Sequence, residues 1–407
     1  MTVLRRAWLP TLLCCLTLLI GWWSKARCLG DGTWTGAEQY LQWCYTDVFP
    51  LWTVERLDEG AVPYFDHPVE YPVLTGLQMW LGQQVAQAFP PDLGARAFFH
   101  VTALMNAVLS LAVLGLLALA GLPARRRLWW ALAPPLAVYA FLNWDPLAVA
   151  LMVGAILAHL RDRDLEAGAL AGLGVAAKLI PGVVIPLILA ARLAQGRSQD
   201  ALRHLFAAAG VWLVVNLPVA VLVPESWSRF FVLNRERPAN FDSLWYLAEQ
   251  VRGAAFPVAG INLASALLLL GGWLVIAAVG MRRRDPSEWW ALALPALCWF
   301  LVTNKVYSPQ YTLWILPLAA LSLRRPAPYL GFVLADVTVY LVEFPFLGGL
   351  QGAAPAPTYG LLAVTLLMRA GMLLWIAVES TLDHDETLTA AAGPKARLRQ
   401  VGRAQPA

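Results

Sequence analysis

The sequence predicts an all-α protein, a bundle of membrane helices, and three observations carry that expectation. Hydrophobic residues make up 59% of the chain and charged residues only 14%, against roughly a quarter charged in ordinary globular proteins. The apolar residues fall in runs close to the ~20 residues a helix needs to cross a bilayer. The 19 Trp and 11 Tyr suit the aromatic belts of membrane interfaces. Such a composition excludes a soluble enzyme and a disordered chain. The net charge of +4 is no nucleic-acid footprint, because the basic residues sit in short clusters between apolar runs. Five Cys make no disulfide scaffold.

In chain order the expected spans are 8–23, 97–120, 129–142, 145–160, 204–223, 257–280, 287–303, 308–323, 327–346 and 357–378. The first resembles a signal peptide, with Arg5 and Arg6 before an apolar core. A retained anchor is the preferred reading, because Ser24–Leu29 is a poor small-residue cleavage site and hydrophobic segments continue down the chain. The segment Ala167–Ala191 decides the topology, since Lys178, Pro181 and Pro186 interrupt an otherwise apolar run. Read as one span, it puts Arg282–Arg284 and the basic tail on the outer face. Read as two half-helices meeting near Lys178, it returns to the side it left, and most Lys and Arg become cytoplasmic. The positive-inside rule selects the half-helices. Their junction then lies at membrane depth, where non-helical backbone survives only beside protein or water.

The expected architecture therefore has about twelve membrane segments with a re-entrant or broken pair near Lys178. Residues 1–378 form one membrane domain in the plasma membrane, with both termini cytoplasmic. Two sizeable loops, 24–96 and 224–256, project outside, and a polar, mobile tail follows at 379–407. No repeat or inverted duplication of the kind many transporters carry is evident.

The polar residues must supply the function. The first loop carries Asp47, Glu55, Asp58, Asp66, His67 and Glu70 among many aromatics. For any one of these acids the plain reading is a solvated charge. Asp47 is the exception, set among Tyr45, Val48, Phe49 and Trp52, where partial burial can tune a carboxylate as a base. Cys28 and Cys44 share this extracytoplasmic loop, where a disulfide can form. Cys14, Cys15 and Cys298 read as small apolar residues within spans. No Cys/His spacing resembles a metal site, and no cofactor is expected.

Four further polar clusters approach the same face: Asn143-Trp144-Asp145, the junction around Lys178, the loop 234–246 with Arg235 and Arg237, and NKVYSPQY at 304–311 with Lys305, Tyr307 and Gln310. A Lys at a helix break inside the membrane is costly enough that function is the default hypothesis, with snorkelling or an internal ion pair as the bland alternative. Lys305 sits at a span end, where snorkelling is easy. Arg235 and Arg237 read equally as surface charges. Arg369, with Asp336 and Glu343 on the neighbouring segment, reads as a structural ion pair, and a proton or ion path is the lesser reading.

Cations beside an intramembrane break suit a lipid-linked phosphate, whose tail lies in lipid while its phosphate meets Lys or Arg. One semi-buried carboxylate suits a general base acting on a hydroxyl acceptor. The residues thus point to group transfer from a lipid phosphate at the outer face. Cationic side chains would stabilise the leaving phosphate without a metal.

The stretches TDVFPLW and VEYPVLTG, then NWDPLAVAL, GLGVAAKLIPGVVIPLIL and NKVYSPQYTLWILPL, together resemble glycosyltransferase family 87 over roughly residues 40–325. The resemblance implies a GT-C-type membrane fold and a mannosyltransferase that uses polyprenyl-phosphate mannose. It also implies a base in the first extracytoplasmic loop, matched here by Asp47. The chain has Asp47-Val48-Phe49-Pro50-Leu51 where the family pattern is closer to Asp-Leu-x-Val-Tyr, which leaves Glu70 as the reserve candidate. Tyr71-Pro72 matches the family's Tyr-Pro, and Lys178 its Lys at the broken segment. The partners implied are the polyprenyl-phosphate sugar, a glycan or glycolipid acceptor and the bilayer. A transporter or lipid flippase is the rival reading. The enzyme requires Asp47 and Lys178 in one site, whereas a carrier requires a central site between pseudo-symmetric halves.

Overall fold

The computed structural model describes residues 2–29 and 35–382. Among them the chain is all-α, with extended backbone paired only in an isolated bridge between Pro63 and His67. Six helices are long and apolar enough to cross a membrane: Trp8–Leu29, Pro91–Leu119, Ser198–Leu222, Val258–Arg283, Pro326–Leu350 and Tyr359–Leu382. Their outward faces carry exposed large apolar residues such as Phe206, Val214, Leu222 and Leu274.

Six long helices replace the roughly twelve expected segments, and the reason is physical. Prolines split the run 129–142 into Ala124–Ala131 and Pro134–Tyr139. The runs 287–303 and 308–323 each open with a 3₁₀ turn, leaving the short helices Ala293–Thr303 and Thr312–Ser322. At ~1.5 Å per residue such pieces rise about half of the ~30 Å hydrocarbon core. Their apolar character has another cause, because protein buries them on nearly every side. Hydropathy alone cannot separate a lipid-facing helix from one enclosed by its neighbours.

The expected loops are partly helical. Residues 24–96 contain Glu38–Leu41, Val48–Val54 and Val73–Ala86. Residues 224–256 contain Pro224–Glu236 and Leu244–Arg252. The last of these has ordinary signals at both ends: Ser243 accepts from the Tyr246 N–H, and Gly253 closes it in the left-handed region at φ 74°. The first long helix packs into the bundle. Thr17 donates to the Ala131 carbonyl at 2.7 Å, and a Cβ on Gly21 would lie 2.2 Å from the Ala137 carbonyl oxygen. The tail from residue 383 lies outside the described residues.

The interrupted segment folds as a hairpin of Asp164–Ala177 and Val184–Ala194. Between them Lys178 is extended (φ −153°, ψ 141°), and a short 3₁₀ turn, Ile180–Val183, begins at Pro181's neighbour. Gly168 and Gly172, one turn apart, let Asp164–Ala177 press against Ser198–Leu222. A Cβ at either would meet the His204 or Ala208 carbonyl oxygen at 2.1 or 2.4 Å, the close approach that small residues permit. The Ala177 carbonyl, orphaned where its helix stops, accepts from Thr75 at 2.8 Å. At the hairpin's far end Arg192 donates to Asp164 (2.7 Å) and to the His159 carbonyl (2.9 Å). The hairpin is thus fastened at both ends, with Lys178 at the break.

Candidate active site

Asp47 stands at the start of the short helix Val48–Val54. Its N–H donates to the Leu142 carbonyl (2.9 Å), and Thr46 donates to the Phe141 carbonyl (2.7 Å). These bonds seat the first loop on the 140–145 turn. Tyr45 donates its hydroxyl to Asp47 Oδ1 at 2.6 Å, and Asn143 donates from Nδ2 to Oδ2 at 2.7 Å. Burial pushes the Asp47 carboxyl above the usual carboxylate range, against the pull of those two hydrogen bonds and the Lys178 charge.

Lys178 reaches the same turn. Its ammonium donates to Asp145 Oδ2 at 2.8 Å and lies 3.4 Å from Asn143 Oδ1. It also sits over the rings of Tyr71 (5.7 Å) and Tyr311 (5.5 Å). The other oxygen of Asp145 accepts from Trp314 Nε1 at 2.8 Å. Lys178 retains 11% side-chain exposure while Asp145 has none, so the cation touches solvent and its counter-ion does not.

Tyr71 accepts at its hydroxyl from Asn143 (2.8 Å). Glu70, its neighbour, is half-buried, and burial raises its carboxyl. The Asp47 charge raises it further, while Arg237, Arg229 and Lys178 oppose. The Glu70 N–H donates to Glu55 at 3.4 Å. Burial pushes the Glu55 carboxyl up to about 7, and His67 Nε2 lies 3.6 Å from it. Cys28 and Cys44 are in disulfide contact, with Cα atoms 6.2 Å apart, just before Tyr45.

The remaining expected residues fall elsewhere. Arg237 is exposed on the rim, where its charge acts on both Glu70 and Tyr311. Arg235 turns to solvent beside Glu236. Lys305 is occupied at the end of Pro224–Glu236, donating to the Arg237 carbonyl (2.6 Å), the Arg235 carbonyl (3.3 Å) and Asn262 (2.6 Å); a cation there complements the helix C-terminus. Tyr307 is buried under Arg369, whose guanidinium lies 3.6 Å from its ring centroid. Arg369 also stands 3.6 Å from Asp336 and donates to the Asp242 carbonyl at 3.4 Å. Gln310 is buried in the turn Pro309–Tyr311. Among the described residues no group of three or more His, Cys, Asp or Glu is placed to hold a metal ion.

Sequence alone assigns no role to four residues of this site: Tyr45, Asn143, Asp145 and Trp314. The signal for two of them was present, since Asn143 and Asp145 form a polar pair at the mouth of an apolar run. Nothing local marks Tyr45 or Trp314.

A carboxylate and a lysine are gathered at a helix break within an apolar helical bundle with six spans of membrane length among the described residues. Residues 71–303 match the profile of glycosyltransferase family 87, more than half of the chain, and the chain belongs to that family of glycosyltransferases. No curated protein matches the sequence. Among solved structures it is similar to ArnT from Cupriavidus metallidurans bound to undecaprenyl phosphate, at 15% identity and TM-score 0.46, over 97% of this chain and 79% of that one. Apo ArnT from the same organism gives 16% and 0.44 over the same shares. The apo Archaeoglobus fulgidus oligosaccharyltransferase gives 13% and 0.43, over 98% of this chain and 60% of that one.

Proposed function

We propose that this glycosyltransferase moves a hexose, mannose as the first choice, from a polyprenyl-phosphate donor to a hydroxyl of an extracytoplasmic glycan or glycolipid. The observation that carries the reading is the sharing of one amide, Asn143, by Asp47 and Lys178. A base and a phosphate-binding cation lie side by side at the hairpin break, as the transfer demands.

Asp47 takes the proton of the acceptor hydroxyl as its oxygen attacks the anomeric carbon. The bond from that carbon to the phosphate oxygen breaks, and polyprenyl phosphate leaves with the electron pair. The new glycosidic bond forms on the opposite face of the sugar, so one displacement inverts the centre, whereas a retaining glycosidase needs a second carboxylate close by. Lys178, with Arg237 at the rim, meets the charge growing on the leaving phosphate. The route assigns that charge to side chains and calls on no metal. Tyr71 and Glu70 line the approach, with Glu70 as the reserve base. Arg235, Lys305, Tyr307 and Gln310 then act by supporting the 235–243 and 304–312 segments. In this reading the Asp47 end of the bundle faces outside and both chain ends face the cytoplasm.

The test is transfer of labelled mannose from polyprenyl-phosphate mannose by the purified protein. Asp47→Asn is expected to lose about 10²–10⁴-fold in rate, the usual worth of a general base. Full activity in that variant would remove Asp47 as the base and pass the role to Glu70.

A further inference from the structure

Asn143 belongs to neither reacting group, yet it touches both. It is 2% exposed. Its Nδ2 gives one hydrogen to Asp47 (2.7 Å) and one to the Tyr71 hydroxyl (2.8 Å). Its Oδ1 accepts from the Trp144 N–H (2.7 Å) and faces the Lys178 ammonium (3.4 Å). All of its donor and acceptor capacity is used, and the amide has one allowed orientation. Turned over, it would set its oxygen against a carboxylate and its NH₂ against an ammonium and an N–H.

The backbone beneath it is pinned as well. Asn106, fully buried, donates to the Asn143 carbonyl (2.8 Å) and the Ala140 carbonyl (3.0 Å) and accepts from Gln78 (3.2 Å). The turn that presents Asn143 is therefore fixed from two neighbouring helices.

We infer that Asn143 is the positioning residue of the transfer: its amide holds the Asp47 carboxylate as an ionised, correctly aimed base and couples it to the cation that receives the donor phosphate. The inference rests on the function proposed above. Three consequences follow from the geometry. Asp47 Oδ2 is kept from turning, so the base meets the acceptor in one orientation. Tyr71, accepting from Asn143, has its own hydroxyl hydrogen directed away from the amide and available to an oxygen of the substrate. A phosphate that draws the Lys178 ammonium towards itself loosens the 3.4 Å contact and leaves the Asn143 dipole to act on Asp47 alone.

The charged and titratable groups acting on Asp47 come from several elements: Lys25 from the first helix, Tyr40, Tyr45, Glu70 and Tyr71 from the first loop, Asp145 from its helix, and Lys178 from the break. Asn143 and Tyr45 are the groups that donate hydrogen bonds directly to the carboxylate. Without the Asn143 donor the carboxylate is less stabilised and holds its proton to higher pH.

The experiment is the pH dependence of mannose transfer from polyprenyl-phosphate mannose by wild type, Asn143→Ala and the isosteric Asn143→Asp. In Asn143→Ala the acid limb of kcat/KM is expected to move up by about one pH unit or more, the shift that one hydrogen bond to a charged group produces. In Asn143→Asp, which keeps the size but replaces both donors by acid oxygens, the limb moves further and the high-pH plateau stays below that of wild type. Loss of activity by the same factor at every pH in Asn143→Asp, or an unmoved limb in a folded variant, overturns the inference. Asp47→Asn in the same assay separates the two levels: if it stays active, the proposed base is wrong, whereas an inactive Asp47→Asn with unmoved Asn143 limbs overturns the positioning role alone.

Discussion

The two ends of the 164–194 hairpin carry the same kind of bond and use it differently. At one end Lys178 meets Asp145 at 2.8 Å; at the other Arg192 meets Asp164 at 2.7 Å. Both carboxylates are buried. Arg192, however, is saturated: its planar fork also engages the His159 carbonyl, Gln195 and Asp162, and Arg197 reinforces Asp164. Lys178 has one close partner, a weaker contact to Asn143, and aromatic rings around the rest of its ammonium. A guanidinium locked in a fork is suited to fixing helix ends, whereas an ammonium on a flexible stem can re-aim towards an arriving phosphate. Buried ion pairs of nearly equal length thus differ in the number of partners left over.

That contrast can be broken most strongly at the Arg192 end. Arg192→Gln leaves Asp164 with the longer Arg197 contact at 3.3 Å and is expected to cost about 1.5–3 kcal/mol of stability, the worth of a hydrogen bond to a charged group. Thermal unfolding in detergent measures the loss, and the protein that remains folded should transfer sugar at close to the wild-type rate.

The Lys178 end should behave in the opposite way. Neutralising both partners together, Lys178→Gln with Asp145→Asn, leaves no stranded charge and should change stability little. Donor kcat/KM is expected to fall about ten- to a hundredfold, the worth of a charge-assisted hydrogen bond, while use of the acceptor changes less. Equal losses for donor and acceptor would assign Lys178 to structure alongside Arg192.

A smaller effect concerns the base. Burial raises the Asp47 carboxyl, and in its proposed role as base Asp47 must be ionised. Activity should therefore fall on acidification from a pH above the ordinary Asp value of about 3.9, and Tyr45→Phe, which removes a donor to the carboxylate, should move that limb upward. The pH–rate profile of kcat/KM reads both effects. The mildest change in transfer is expected from Cys28→Ser with Cys44→Ser. Freeing a 16-residue separation costs about 2–4 kcal/mol of stability at most, and because Thr46 and Asp47 are still bonded to the 141–142 carbonyls, transfer should survive at moderate temperature.

How far the sequence foretells this arrangement depends on how local each feature is. The long helices were legible because continuous apolar runs are local, and their bounds at 257–280 and 357–378 lie within a few residues of Val258–Arg283 and Tyr359–Leu382. The break at Lys178 was legible because a Lys and two Pro interrupt such a run. The short buried helices misled the count, since burial by protein and burial by lipid leave the same composition. Asp47 stood out through its aromatic neighbours. Its hydrogen-bond partner Asn143 lies 96 residues away, and Trp314 lies 169 residues from Asp145. No spacing rule reaches across such distances. Lys305 shows the converse: a Lys beside a polar motif looks ready for phosphate, but its position under the end of Pro224–Glu236 commits it to three oxygen partners.

The proposed mechanism divides labour between Asp47 as base and Lys178 as holder of the donor phosphate. It is tested most directly by measuring donor binding and sugar transfer side by side, with labelled polyprenyl-phosphate mannose and purified protein, in Asp47→Asn and in Lys178→Gln with Asp145→Asn. The expected result is that Asp47→Asn binds donor like wild type and fails to transfer, whereas the paired variant binds donor weakly. Wild-type transfer by Asp47→Asn, or undiminished donor binding by the paired variant, would contradict it.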